Sequence, residues 1–229
     1  MTTLLVPPDL FDGAEVRVEG DPYRHLFRAR RLAAGERLRV VDGRGRARWA
    51  EVARVERSGA ALALGEPAPA NEPAFRLELL VAVFRPERAA WLVEKATEVG
   101  VGAVRFLHTE RAPRTFGAGT LERLRRVAAA AVEQCGRSRL PEVSGVHDWG
   151  ELARLADPLP DRRLLDPAAA VEWRGPAGAA GALLVGPEGG WTEAEVAAAR
   201  VLGFAATGLG PRTLRAETAA VVAASRLLL

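Results

Sequence analysis

The sequence predicts an α/β domain preceded by a small all-β barrel. Three observations carry this. Up to about residue 65 the chain reads as short β segments broken by turn residues; from residue 74 strand and helix patterns alternate; and between them lies Glu66-Pro67-Ala68-Pro69-Ala70-Asn71-Glu72-Pro73, a stiff, proline-marked linker. The predicted partition is a barrel over residues 1–68 and an α/β domain over residues 74–229. Alternation of strands and helices argues for a parallel or mostly parallel sheet covered on both faces.

Within the barrel, Arg37 to Asp42 alternates, Gly43-Arg44-Gly45 turns, Arg48 to Arg57 alternates again, and Ala60 to Leu64 is the last strand. Beyond the linker, Phe75 to Phe84 reads as a strand entering a core. Pro86 suits a first helical turn and Gly100 a position just past the end, so the next helix runs from Pro86 to Val99. Val101 to Leu107 is a strand. Leu121, Leu124, Ala128, Ala131, Val132 and Cys135 form one face of a helix from Thr120 to Cys135, stopped by Gly136. A strand (Glu142 to Val146), a helix (Trp149 to Ala156) and a strand (Arg163 to Leu165) follow. After them come a buried strand (Ala182 to Val185), a helix (Glu193 to Leu202) and a strand (Phe204 to Leu209). The final helix, Ala216 to Leu228, is rich in Ala and Val on nearly every side and is expected to be deeply packed.

The stretch from Leu183 to Glu195 switches from strand to glycine turn to capped helix. Gly186, Gly189 and Gly190 permit close approaches that a Cβ forbids, Thr192 with Glu195 spells a capping box, and Trp191 facing Val196 fits a hydrophobic staple. A glycine turn between a strand and a helix is common in any α/β protein, so the turn alone does not make a ligand site. A second turn into a helix, Gly208 to Ala219, lies close behind, and both turns fall at the carboxyl ends of strands, where open α/β sheets bind ligands.

Composition narrows the function classes. No apolar run approaches the ~18 residues of a membrane span, and the start lacks a signal peptide's basic region, so a cytoplasmic protein with no membrane partner is expected. The single Cys135 excludes an internal disulfide, and with His25, His108 and His147 it offers no metal-ligand spacing. Of the 32 basic residues all but Lys95 are Arg, against a net charge of only +3. From Asp21 to Arg57 eleven Arg face five acids, a local net of +6. That stripe is the footprint of a nucleic-acid surface, with a solvated arginine-rich surface as the plainer alternative. The basic loop Gly136-Arg137-Ser138-Arg139 is open to the same two readings. There is no P-loop, no complete dinucleotide fingerprint and no Gly-x-Ser-x-Gly elbow.

Five blocks form a recognisable set: Glu94-Lys95-Ala96-Thr97-Glu98-Val99-Gly100-Val101; Thr109-Glu110-Arg111; Ala131-Val132-Glu133-Gln134-Cys135-Gly136-Arg137 with Pro141-Glu142; Gly186-Pro187-Glu188-Gly189-Gly190; and Leu209-Gly210-Pro211-Arg212-Thr213-Leu214-Arg215-Ala216-Glu217-Thr218-Ala219. Together, in this order and over essentially the whole chain, they closely resemble the RsmE family, 16S ribosomal RNA uridine N3-methyltransferases of the SPOUT class. The resemblance implies a SPOUT-type α/β domain with a C-terminal trefoil knot, a PUA-like barrel that helps hold RNA, S-adenosyl-L-methionine as cofactor, and a homodimer acting on 16S rRNA within the small ribosomal subunit. Threading explains the small residues of the last helix, and glycines 186, 189, 190 and 210 would make room for the cofactor.

Carried over residue by residue, the cofactor cup comprises Leu184, Val185, Gly186, Pro187, Glu188, Gly189 and Gly190, then Leu209, Gly210 and Leu214, with Thr218 at the helix start and Leu165 at the preceding strand end. Arg215 would stabilise the uridine anion and Glu217 act as base, unless the two simply pair and cap the last helix. Lys95 and Gln134 stand between active-site support and ordinary packing. Arg24, Arg28, Arg30, Arg31, Arg111, Arg137 and Arg139 are the expected RNA contacts. The chain departs from the family at Thr2 to Val6, where an early Arg is common, and at Ala112. Two rival readings remain: 2′-O-ribose methylation on the same fold, and a non-catalytic RNA-binding assembly factor.

Overall fold

The computed structural model describes residues 2–112, 115–169, 175 and 177–229. The chain divides into two compact units: Met1–Glu72 with Val132–Leu140, and Pro73–Ala131 with Pro141–Leu229. The loop carrying Arg137 and Arg139, which the linear partition assigns to the α/β domain, thus clusters with the barrel.

The first unit holds β1 (Thr3–Leu5), α1 (Pro8–Phe11), β2 (Glu15–Glu19), α2 (Gly20–Tyr23), β3 (Arg37–Val41), β4 (Ala47–Val55) and β5 (Gly59–Pro67). These strands form one sheet in the order β1-β3-β4-β5-β2. The only parallel pair among them is β1 with β3; β3–β4, β4–β5 and β2–β5 are antiparallel. Two stretches depart from the all-β expectation: the short α1, and α2, which continues into a π-helical segment, Arg24–Ala29. The cause of the second is legible in hindsight, because Tyr23, Leu26 and Phe27 fall at helical spacing and all three are buried. Tyr23 stacks on Phe27 with centroids 5.5 Å apart, and its hydroxyl donates to the carbonyl of Glu56 at 2.6 Å.

Arginine stitches the 132–140 segment to this unit. The buried Arg39 donates to the carbonyls of Gly136 and Pro69, and burial pulls its guanidinium below the usual arginine range. Arg137, only 3% exposed, pairs with Glu72 at 2.8 Å. Glu72 also accepts from the backbone N–H groups of Ser138 and Arg139, at 2.9 and 2.8 Å. Glu133 accepts from the Leu5 N–H at 3.0 Å; burial pushes its carboxyl up, and that bond with the charges of His25 and Arg30 offsets the push only partly.

The second unit holds β6 (Arg76–Ala82), α3 (Pro86–Val99), β7 (Ala103–Leu107), most of α4 (Thr120–Cys135), β8 (Glu142–His147), α5 (Trp149–Ala156), β9 (Asp161–Leu165), β10 (Ala180–Val185), α6 (Glu193–Val201), β11 (Ala205–Thr207) and α7 (Ala216–Leu228). Its six strands lie in the order β11-β9-β10-β6-β7-β8, every neighbouring pair parallel. Successive side chains of a strand point to opposite faces. Leu79 and Leu183 therefore join a core with residues of α3, α4 and α7, while Leu80 and Leu184 join another with residues of α5 and α6. Each of those four leucines is fully buried, which stabilises the fold by about 1.5–3 kcal/mol per side chain.

Strand order reverses at β6: β7 and β8 are laid on one side of it, β10, β9 and β11 on the other. The loops leaving β9, β10 and β11 consequently emerge together at the carboxyl edge. The last helix differs from expectation, because only Glu217, Ala220, Ala223 and Ala224 of α7 are buried and most of its other residues are half-buried. Among the described residues no helix is long and apolar enough to cross a membrane.

Candidate active site

At that carboxyl edge the three loops surround a cleft of about 530 Å³. The end of β9 contributes Leu165, Asp166 and Pro167; the loop after β10 contributes Val185 to Glu188, Gly190 and Trp191; the start of α7 contributes Thr213 to Ala216 and Ala219. A small side chamber of about 40 Å³ shares Leu165 to Pro167, Leu214 and Ala219 and adds Thr207, Leu209, Gly210 and Arg212. This is a pre-formed concavity, mostly apolar, with a few polar groups at its edge, as small-molecule sites generally are.

The strand-to-helix loop owes its shape to several independent ties. Thr192 and Glu195 form the capping box: the Glu195 N–H donates to Thr192 Oγ1 at 3.2 Å and the Thr192 N–H to Glu195 Oε2 at 2.9 Å. Glu195 is buried, and its other oxygen accepts from the Glu110 N–H at 2.9 Å. Arg111 Nη1 donates to the Gly189 carbonyl at 2.9 Å. The turn Thr109-Glu110-Arg111 is thus fastened to the glycine loop at two points. Trp191 donates through Nε1 to the Leu165 carbonyl at 3.1 Å and meets Trp149 edge-on at 6.0 Å. It links the end of β9 to the start of α6.

The glycines are required for reasons other than room for a ligand. A Cβ on Gly186 would sit 2.9 Å from the Trp191 ring, so the packed indole forbids it. Gly190 and Gly210 have φ of 71° and 108°, a region that side chains disfavour.

Of the expected cofactor residues, Leu165, Val185, Gly186, Pro187, Glu188, Gly190 and Leu214 line the main cleft, and Leu209 and Gly210 line its side chamber. Leu184 lines neither: it is the inward neighbour of Val185 and faces the α5–α6 core, by strand alternation. Gly189 borders a separate cavity, and Thr218 lies one residue short of the lining Ala219. Asp166, Pro167, Trp191, Val196, Ala216 and Ala219 also line the cleft and are not among the expected cofactor residues. The Leu-Asp-Pro strand end was the available signal for the first two.

Arg215 is exposed and lines the cleft, whereas Glu217 is buried. No ion pair joins them among the described residues. Glu217 Oε1 instead lies 3.7 Å from Arg88 Nε, and Oε2 is buried with no hydrogen bond. Arg88 also pairs with Glu188, so one guanidinium in the first turns of α3 joins the glycine loop to α7. Sequence reasoning passed over Arg88, because only the packing of α3 on α7 brings it to these carboxylates.

Lys95 is held by Glu94 at 2.7 Å and Glu98 at 2.8 Å; these bonds raise its pKa, keep it protonated and unsuit it as a base. Gln134 is exposed on the first unit. Among the expected RNA contacts, Arg24, Arg28, Arg30, Arg31, Arg111 and Arg139 are exposed. Arg137 is the exception, since its guanidinium is buried against Glu72. The stripe is also less available than its composition implies: Arg39, Arg46, Arg48 and Arg54 are engaged by carbonyls or carboxylates of their own unit.

A parallel sheet with a loop-built, mostly apolar cleft at its carboxyl edge, in a chain that also carries a small β unit, defines an α/β protein with a small-molecule site. A family model described as "RNA methyltransferase domain" matches residues 71–228, and one described as "RNA methyltransferase PUA domain" matches residues 18–64. Ribosomal RNA small subunit methyltransferase E of Synechocystis is 32% identical, over 98% of this chain and 76% of the relative. Its namesake from Mycobacterium bovis is 31% identical, over 92% of this chain and 85% of that one. The crystal structure of ribosomal RNA small subunit methyltransferase E from Neisseria gonorrhoeae bound to S-adenosyl methionine superposes with a TM-score of 0.87 at 29% identity, covering 98% of this chain and 95% of that chain. The chain belongs to the ribosomal RNA small subunit methyltransferase E family.

Proposed function

We propose that the protein methylates N3 of a specific uridine in 16S rRNA of the small ribosomal subunit, using S-adenosyl-L-methionine held in the main cleft. The carrying observation is the convergence of three loop ends on one pre-formed cleft of about 530 Å³ at the carboxyl edge of the sheet. Its chemistry fits a sulfonium cofactor: the apolar Leu165, Val185 and Leu214 suit an adenosine, while Asp166 brings a carboxylate to a cationic ligand. When bound, that cofactor supplies a methyl group on a sulfonium, open to in-line displacement.

The residues of the chain bind, orient and compensate charge. Val185, Gly186, Pro187, Glu188, Gly190, Leu209, Gly210, Leu214 and Leu165 form the cofactor wall, with Trp191 fixing its curvature. Arg215, exposed at the cleft edge, stabilises the negative charge that develops on the uracil ring as N3 gives up its proton to solvent water. Glu217 acts through Arg88 as a positioning residue. Exposed Arg24, Arg28, Arg30 and Arg31 of the first unit, with Arg139, meet RNA phosphates. The C-terminal segment forms a trefoil knot, a reading that rests on the family. Two copies associate as a homodimer in the cytoplasm; the 42% exposed Trp91 of α3 and the half-buried Val222 of α7 supply apolar surface for that contact.

The test is incubation with labelled S-adenosylmethionine and small ribosomal subunits from a strain lacking the enzyme, with the product mapped by mass spectrometry. Methyl on uridine N3 is expected. Methyl on a ribose refutes the assignment, and failure to bind the cofactor in calorimetry refutes any methyltransferase.

A further inference from the structure

Next to the main cleft the second unit carries a smaller cavity of about 210 Å³. Its apolar side is Val83 and Phe84, the two residues that follow β6, 5% and 6% exposed. Arg85 and Arg111 stand at its rim, and its far wall includes Pro187, Glu188 and Gly189. Pro187 and Glu188 line the main cleft as well, so the two cavities adjoin at that loop.

The two arginines differ in state. Arg111 is anchored by its bond to the Gly189 carbonyl. Arg85 is the N-cap residue of α3, makes no side-chain capping bond, and is exposed. Among the described residues no hydrogen bond or ion pair engages its guanidinium. A free guanidinium next to an aromatic and aliphatic wall is a poor site for a methyl donor's cation and a good one for a phosphorylated ring.

We propose that this cavity receives the acceptor nucleotide, with its pyrimidine ring against Val83 and Phe84 and its phosphate on Arg85. The proposal rests on the methyltransferase reading above. A base inside a helix is out of reach of any methyl donor, so the target must be turned out of the stack into a pocket with an apolar or aromatic face. Donor and acceptor atoms must then approach to roughly 3–3.5 Å. A cavity that borders the same two residues as the cofactor cleft puts the acceptor next to the donor, and the shared Glu188 is itself tied by Arg88.

The test compares Arg85→Ala and Arg85→Lys with the unaltered protein. It measures kcat/KM on small ribosomal subunits across a salt series, and S-adenosylmethionine affinity by calorimetry. Arg85→Ala is expected to lower kcat/KM about tenfold or more and flatten its log–log salt slope by about one, as loss of one phosphate contact does. Cofactor affinity stays within about twofold, and Arg85→Lys, which keeps the point charge, restores most of the salt slope. Unchanged kcat/KM in Arg85→Ala overturns the proposal. So does a parallel loss of cofactor affinity, which would assign the cavity to the cofactor's own carboxylate. If the unaltered protein transfers no methyl group, the methyltransferase reading falls, and that result is separate from either outcome in the variants.

Discussion

Two sets of arginines, one from each unit, do opposite work. In the first, Arg39, Arg48 and Arg137 are turned inward onto carbonyls and a carboxylate and hold β strands and the 132–140 segment together. In the second, Arg85 and Arg215 stand exposed at cavity edges, and Arg88 is shared between two carboxylates of different elements. A guanidinium carries five donors in a fixed fork, so the same side chain serves as a structural clamp where acceptors surround it and as an anion site where they do not. Exposure and partner count, rather than residue type, separate the two uses.

The sharpest way to break this comparison is Arg137→Ala. Glu72 would keep its bonds from Ser138 and Arg139 but lose its buried cation, at a cost on the order of 3–5 kcal/mol. Hydrogen exchange should accelerate in residues 132–140 and β3, while the salt slope of RNA binding stays unchanged. A lowered slope with unchanged exchange would return Arg137 to the RNA surface.

Arg88→Ala should have the next largest effect. It leaves the buried Glu217 carboxylate without its cation, and a loss of roughly tenfold in cofactor affinity with a lower kcat is expected. Glu217→Gln should reproduce only part of that loss, since Glu188 keeps its pairing with Arg88. Calorimetry and single-turnover rates measure both; equal and complete loss of rate in Glu217→Gln, with cofactor binding intact, would make Glu217 a base instead.

Arg30→Ala and Arg31→Ala should be milder. Each removes an exposed guanidinium and should lower the RNA salt slope by about one, and Arg31→Ala should leave stability unchanged. An unchanged slope would move the phosphate contacts elsewhere.

The smallest effect is expected from Glu133→Gln. Burial raises this carboxyl in the folded protein, so its contribution favours folding at acid pH and is lost as pH rises through the folded value. The amide keeps the acceptor for the Leu5 N–H and removes the desolvated charge. Stability should therefore rise by a fraction of a kcal/mol at pH 7, and the gain should vanish below about pH 4. Thermal melts at both pH values decide it; a loss at pH 7 would mean that His25 and Arg30 outweigh burial.

Most elements were legible because their signals are local. Pro86, Gly100 and the apolar spacing between them delimit α3, and Thr192 with Glu195 caps α6 as expected from four residues of sequence. The π-helical segment after Tyr23 was overlooked because the surrounding strands dominated the pattern. Motif blocks around Gly186 and Leu209 pointed to the cleft, yet they also drew in Leu184, whose strand position turns it to the opposite face.

By itself the sequence determined the alternation of elements, the capped glycine loop, the scarcity of Cys and His, and the family. These depend on residues close together in the chain or on blocks whose order is visible in one dimension. The tertiary structure alone decided that Arg137 is a clamp, that Glu217 answers to Arg88 and not Arg215, and that a second cavity opens beside Phe84. Each of those depends on groups far apart in sequence, such as Arg88 and Glu217, whose proximity is set by packing and by the sheet order rather than by any local preference of the chain.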